Sequence, residues 1–266
     1  MSFIDGAATA VALAALGGGA ALLTFAHFTG TATWRTFTTA PSLYFRLGVL
    51  EATNLILFAA ALRIGPLPIV VALHLTTPLL LIGAQVLRGA RRANAALMVE
   101  LGLVVVAIGL ASSGRSGGHE DRLYAAFGCL LALGSAMCVA ILVTTVAREA
   151  RARTTPASAG LQLILAGLLS SVLVVAEPPT LAGAVQMVVV GVLFLGPGFA
   201  LYWAALRRVD ATTASILGLN EAVIASVVGA VLLNGRISVA AFAAGLLVLS
   251  AVAMEQWSQR PRYAHQ

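Results

Sequence analysis

Three ionisable side chains interrupt long apolar stretches of this sequence: Glu51, His74 and Glu221. A charge at the centre of a membrane-sized apolar segment is costly unless it is paired or hydrated, so each is a candidate for function. Asn54 lies one turn from Glu51 on the same helical face, and Asn220 adjoins Glu221. His74 and Pro78, with Thr77 between them, also share a face. Pro78 removes the helix bond to the His74 carbonyl and leaves that acceptor free. A polar cavity lined by a carboxylate and an imidazole suits a zwitterionic ligand such as an amino acid, or proton exchange. The competing reading is that these groups satisfy one another or backbone carbonyls between packed helices, with Arg46 close enough to neutralise Glu51. Further along, Gly196-Pro197-Gly198 should break or kink its helix, as transporters do near their sites. Tyr202 and Trp203 follow within two turns as candidates for the pathway wall, whereas Trp34 and Trp257 fit interfacial anchors.

Other chemistries lack their residues. No Gly-x-Ser-x-Gly occurs, His-Glu-x-x-His is absent, and the four His are scattered. There is no P-loop, so ATP would have to act through another protein. No catalytic residue, metal or cofactor is therefore expected. An intramembrane enzyme is the weakest of the readings.

These side chains need elements to hold them, and the composition says what kind. The chain is 60% hydrophobic and 10% charged, against roughly 25% charged in a soluble domain. With a mean hydropathy of +0.97, lipid must solvate most of it. The net charge of +6 comes with 16 Arg and no Lys. Clustered between apolar runs, these arginines read as topology signals rather than as a nucleic-acid surface. Cys129 and Cys138 lie nine residues apart on one expected helix, about 13 Å along its axis, and cannot pair. The N-terminus lacks a basic signal-peptide region, so the first apolar stretch should be retained as a membrane helix.

A bilayer core about 30 Å thick needs about 20 apolar residues per crossing. Runs of that kind lie near 7–29, 42–63, 66–87, 95–113, 123–146, 157–176, 181–206, 211–233 and 237–257. Alternate loops carry Arg35 and Arg46, Arg88, Arg91 and Arg92, Arg148, Arg151 and Arg153, Arg207 and Arg208, and Arg260 and Arg262. The opposite loops hold only Arg63, Arg115, Arg122 and Arg236. The positive-inside rule then predicts a cytoplasmic C-terminus and an outside N-terminus. Small-xxx-small pairs such as Gly167/Ser171 and Ala225/Gly229 permit close helix contact and a homodimer without requiring one.

Ala61-Leu62-Arg63, Leu73 and Leu75 recur as Ala205-Leu206-Arg207, Leu217 and Leu219 at a constant offset of 144 residues. An odd number of crossings separates the copies, so they run in opposite directions. Inverted repeats place a binding site at their interface near the bilayer midplane.

The stretch Ala59-Ala60-Ala61-Leu62-Arg63-Ile64-Gly65-Pro66-Leu67-Pro68-Ile69-Val70-Val71-Ala72-Leu73-His74-Leu75-Thr76-Thr77-Pro78-Leu79 resembles the third-to-fourth helix region of the drug/metabolite transporter superfamily, whose domains are of EamA type. Ala205-Leu206-Arg207-Arg208-Val209-Asp210-Ala211-Thr212-Thr213-Ala214-Ser215 and Leu219-Asn220-Glu221-Ala222 resemble the matching region of the second repeat. Within the superfamily the likeness is greatest to the threonine/homoserine exporters. The resemblance implies ten helices in two inverted five-helix repeats, of which the first helix is missing here, either because the chain begins downstream of the true start or because it is a nine-helix variant. It also departs from the pattern, with His74 in place of a Glu, Glu221-Ala222 in place of Glu-Pro, and Asn234-Gly235 in place of Gly-Glu.

The expectation is thus an all-α membrane protein of about nine transmembrane helices. A first repeat would occupy residues 1–114, a second 115–258 and a short cytoplasmic tail 259–266. Its partners would be the lipid of a bacterial inner membrane and a small-molecule substrate, with no nucleic acid. Its function would be secondary export of amino acids or similar metabolites. The alternative is a nonfunctional or accessory membrane protein derived from a transporter.

Overall fold

The computed structural model describes residues 7–31, 33–64, 67–89, 119–153, 155–176 and 178–209, with a few short pieces elsewhere: 98–99, 102–103, 105–106, 211, 213–215 and 250. Every regular element among them is helical. In chain order they are α1 (Ala7–Phe28), α2 (Thr33–Thr39), α3 (Pro41–Ile64), α4 (Leu67–His74), α5 (Thr77–Leu87), α6 (His119–Glu149), α7 (Thr155–Ala176), α8 (Leu181–Val190) and α9 (Gly196–Ala205). Among the described residues, five stretches are long and apolar enough to cross a membrane: Val11–Phe28, Pro41–Ile64, Ala126–Ala152, Thr155–Val172 and Leu181–Ala205. The expected segments 95–113, 211–233 and 237–257 lie largely or wholly outside the described residues.

Three local departures from the sequence expectation have physical causes. The run near 66–87 forms two helices, because Pro78 lacks the N–H that would carry α4 into α5. The carbonyl it was expected to leave free is taken up. Thr77 Oγ1 donates to the His74 carbonyl at 3.1 Å, and Thr76 Oγ1 donates to that of Leu73 at 2.6 Å. The run near 181–206 does not break at Gly196-Pro197-Gly198. Instead the helix widens just upstream into a π-helical segment, Gly191–Leu195, in which Gly196 N–H bonds the Gly191 carbonyl. A wider turn accommodates the proline ring and its missing donor without ending the helix. Finally, α2 is an additional short helix carrying the exposed Trp34. It follows a left-handed Gly30 at φ 77°, where Gly30 N–H bonds the His27 carbonyl and Thr31 N–H that of Ala26 to close α1.

Packing centres on α1 and α3. Helix α1 lies against α7, α8, the π segment and α9, while α3 lies against α6 and α7, and α4 and α5 close on α6. Lipid tails are as apolar as leucine, so close van der Waals packing must hold the helices together. Gly17, Gly18 and Gly19 supply it on α1. A Cβ on Gly18 would fall 2.7 Å from the Gly191 carbonyl oxygen, and one on Gly191 would overlap the Ala14 carbonyl. The main core joins Leu43, Tyr44 and Leu47 of α3 to Val143 and Val146 of α6, Leu163 of α7 and Trp203 of α9. A smaller cluster of Ala61, Val70 and Ala132 closes α3, α4 and α6 beside His74.

Candidate functional site

Polar side chains meet where α3, α4, α6, α7 and α9 converge. Helix α3 contributes Glu51 and Asn54, one turn apart on its buried face, at 6% and 8% exposure. Asn54 Nδ2 lies 3.4 Å from Glu51 Oε1 and donates to it. From α7, Gln162 Nε2 donates to Glu51 Oε2 at 3.2 Å. The carbonyl of the same amide accepts the indole N–H of Trp203 at 2.9 Å. On the opposite side, Ser135 of α6 donates to Asn54 Oδ1 at 2.6 Å and lies 2.8 Å from His74 Nδ1. The His74 ring also rests on Phe58, centroids 4.3 Å apart.

The donors have a common direction. The serine hydroxyl has one proton, committed to Asn54, so His74 Nδ1 carries the hydrogen in its bond to Ser135. The polarity then runs from His74 through Ser135 and Asn54 to Glu51, and from Trp203 through Gln162 to Glu51. Both carboxyl oxygens are acceptors, which suits the carboxylate form. Two neutral amides orient that charge without neutralising it. An ionised carboxylate offers about four lone-pair positions, so these two bonds do not exhaust its capacity to accept. A primary amide is a poor proton carrier, so Asn54 separates Glu51 from the serine and imidazole. The arrangement fixes geometry rather than conducting protons.

Of the residues expected from the sequence, Glu51, Asn54, His74 and Trp203 belong to this network. Thr77 and Pro78 are buried at the α4–α5 junction beside it, and Thr77 Oγ1 also lies 3.4 Å from the Ala136 carbonyl of α6. Tyr202 is half-buried against the main core. Gly196 is buried against Gly18, whereas Pro197 and Gly198 face outward, away from the network. Arg46 is exposed, and the groups bonded to Glu51 are amides rather than this cation. Glu221 and Asn220 lie outside the described residues. Sequence reasoning missed Ser135 and Gln162. Gln162 gave the same signal as Asn54, an amide inside an apolar run, between Leu161 and Leu163. Ser135 gave none, since a serine is unremarkable in a helix of alanines. Among the described residues, no group of three His, Cys, Asp or Glu is arranged to hold a metal.

Residues 126–254 match the EamA-like transporter family. The matched stretch holds Ser135, Gln162 and Trp203. A solved crystal structure superposes with a TM-score of 0.76 at 18% identity, over 96% of this chain and 89% of that one. At this identity the likeness establishes a shared fold. No curated protein matches the sequence. Five membrane-length apolar helices among the described residues, together with the EamA-like match, mark the chain as a multi-pass membrane protein.

Proposed function

We propose that the protein is a secondary transporter that exports a small metabolite bearing an amino group, an amino acid or a close relative, across the inner membrane. The observation that carries this reading is the buried Glu51 carboxylate, held in the middle of α3 by two neutral amides. A carboxylate so placed is stabilised by a cation or by a proton. An ammonium group meets that need, and a proton meets it when the ligand has left. Exchange of the two at one carboxylate couples export to proton entry. The network also joins Glu51, Asn54 and His74, which precede residue 114, to Ser135, Gln162 and Trp203, which follow 115. Alternating access between two inverted halves would work across that boundary. The likeness of residues 59–79 to threonine/homoserine exporters names the first substrates to try.

Protein reconstituted in liposomes tests this with labelled threonine, homoserine, other amino acids and cationic drugs, under an imposed proton gradient. Gradient-driven movement of an amine-bearing compound that Glu51→Gln abolishes is the expected result. Movement that survives Glu51→Gln removes the carboxylate from the site. No movement across the whole panel favours an accessory protein descended from transporters.

A further inference from the structure

Gln162 is fully buried between Leu161 and Leu163 on α7. A third leucine would fill the position without burying an amide, which is tolerated only when its hydrogen bonds are made. The amide makes two bonds of opposite polarity. Its Nε2 donates to Glu51 Oε2, and its Oε1 accepts from Trp203 Nε1. An indole can only donate, so the carbonyl must face α9 and the NH2 group must face Glu51. The amide has no alternative orientation that keeps both bonds.

Two consequences follow from that constraint. Glu51 Oε2 meets a donor and is held as an acceptor. When a proton or an ammonium group takes one of the remaining lone pairs of the carboxyl group, the charge on Oε2 falls, the Gln162 bond to it weakens and the amide shifts. Trp203 is also fully buried, with its N–H committed to the same amide, and it lies in the last turn of α9, which follows the π-helical segment Gly191–Leu195. A shift of the amide therefore reaches the end of α9 through its buried indole.

We infer that Gln162 is a positioning residue that aims the Glu51 carboxylate and ties occupancy at Glu51 to the Trp203 indole and helix α9. The inference rests on Glu51 being part of the transport site, as proposed above. It is tested on full-length protein carrying Trp34→Phe and Trp257→Phe, so that Trp203 alone contributes an isotope-labelled indole N–H signal. In that background Glu51→Gln shifts the Trp203 signal. With Gln162→Met, the signal moves to its unbonded position, and adding Glu51→Gln changes it no further. An equal shift in both backgrounds, or no shift with Gln162 present, overturns the inference.

Should Gln162→Met fail to fold, the exchange Glu51→Gln with Gln162→Glu decides the question. It keeps a donor–acceptor pair between the two positions and an acceptor for Trp203, but moves the charge from α3 to α7. The hydrogen-bonded indole signal should be retained while transport is lost. Transport at the wild-type rate overturns the positioning role. The two proposals fail separately. Transport insensitive to Glu51→Gln defeats the site reading, whereas transport that needs Glu51 without an indole response defeats only the role of Gln162.

Discussion

Helix α7 has two contrasting seams. Toward α1 it is dry and close, with Gly160 against Leu23 and Gly167 against Leu16. Toward α3 and α9 it carries Gln162, and the contact includes hydrogen bonds directed at Glu51. The first seam continues from α1 onto the π segment, where Gly18, Gly191 and Gly196 bring backbones together. The second continues through Asn54 and Ser135 to His74. In a bilayer, small residues are sufficient to join helices. The dry seam shows that this chain uses that solution, so the polar seam is not needed for association alone. The contrast predicts that damage to the dry seam destroys the fold, whereas damage to the polar seam destroys transport first.

The largest effect belongs to Gly191→Ala. Its methyl group would overlap the Ala14 carbonyl, which is backbone and has no rotamer to yield. Overpacking of this kind costs about 1–3 kcal/mol and occasionally more, and here the upper end is expected. The thermal midpoint in detergent and the yield of monodisperse protein should both fall sharply. A Gly191→Ala protein of wild-type stability would break the comparison at its dry end.

Glu51→Gln should separate stability from function. Replacing the buried carboxylate by a neutral isostere removes a desolvation cost, which offsets the hydrogen bond lost where the new NH2 group faces an amide donor, so the thermal midpoint should change little. Transport should drop at least tenfold, equivalent to about 1.4 kcal/mol. Loss of both together would make Glu51 a structural residue and merge the two seams into one. Ser135→Ala follows with a smaller effect. It removes the acceptor for His74 Nδ1–H and the donor to Asn54 Oδ1 at once. Interhelical hydrogen bonds in membranes average about 0.6 kcal/mol each. A loss near 1 kcal/mol in stability and a several-fold fall in transport are therefore expected, measured on the same preparation.

How much of this was legible in the sequence depended on the scale of each signal. Helices α1, α3, α6 and α7 were readable because each holds an apolar run of bilayer length, a property of composition alone. The division between α4 and α5 was partly readable. Pro78 marked it, but the fate of the His74 carbonyl depended on which way a threonine hydroxyl turned. Helix α2 was invisible, since Thr-Trp-Arg-Thr-Phe-Thr-Thr has neither an apolar run nor a periodic face. Within the site, Glu51, Asn54 and His74 stood out as polar residues in apolar company. Trp203 stands out in the sequence only by its nearness to Gly-Pro-Gly, because its hydrogen-bond partner lies 41 residues away. Contacts across that distance are set by helix packing, which local spacing does not encode.

The smallest expected effect is the most exacting check on the comparison. Gly198 lies in the same Gly-Pro-Gly motif as Gly196, two residues further along α9, yet it is exposed and has no heavy atom within 4 Å of an added Cβ among the described residues. Gly196 by contrast faces Gly18, where a Cβ would fall 2.9 Å from the carbonyl oxygen. If both glycines served to make the helix flexible, alanine at either position should impair the protein alike. If close approach is what matters, Gly196→Ala should destabilise while Gly198→Ala stays within about 0.5 kcal/mol of wild type. Alanine favours a helix over glycine by up to about 1 kcal/mol in water, so any change at Gly198 should be toward greater stability. Paired melting curves with transport rates decide it. A damaging Gly198→Ala would assign the motif to motion rather than packing, and would move the Gly-Pro-Gly turn from the dry seam to the working one.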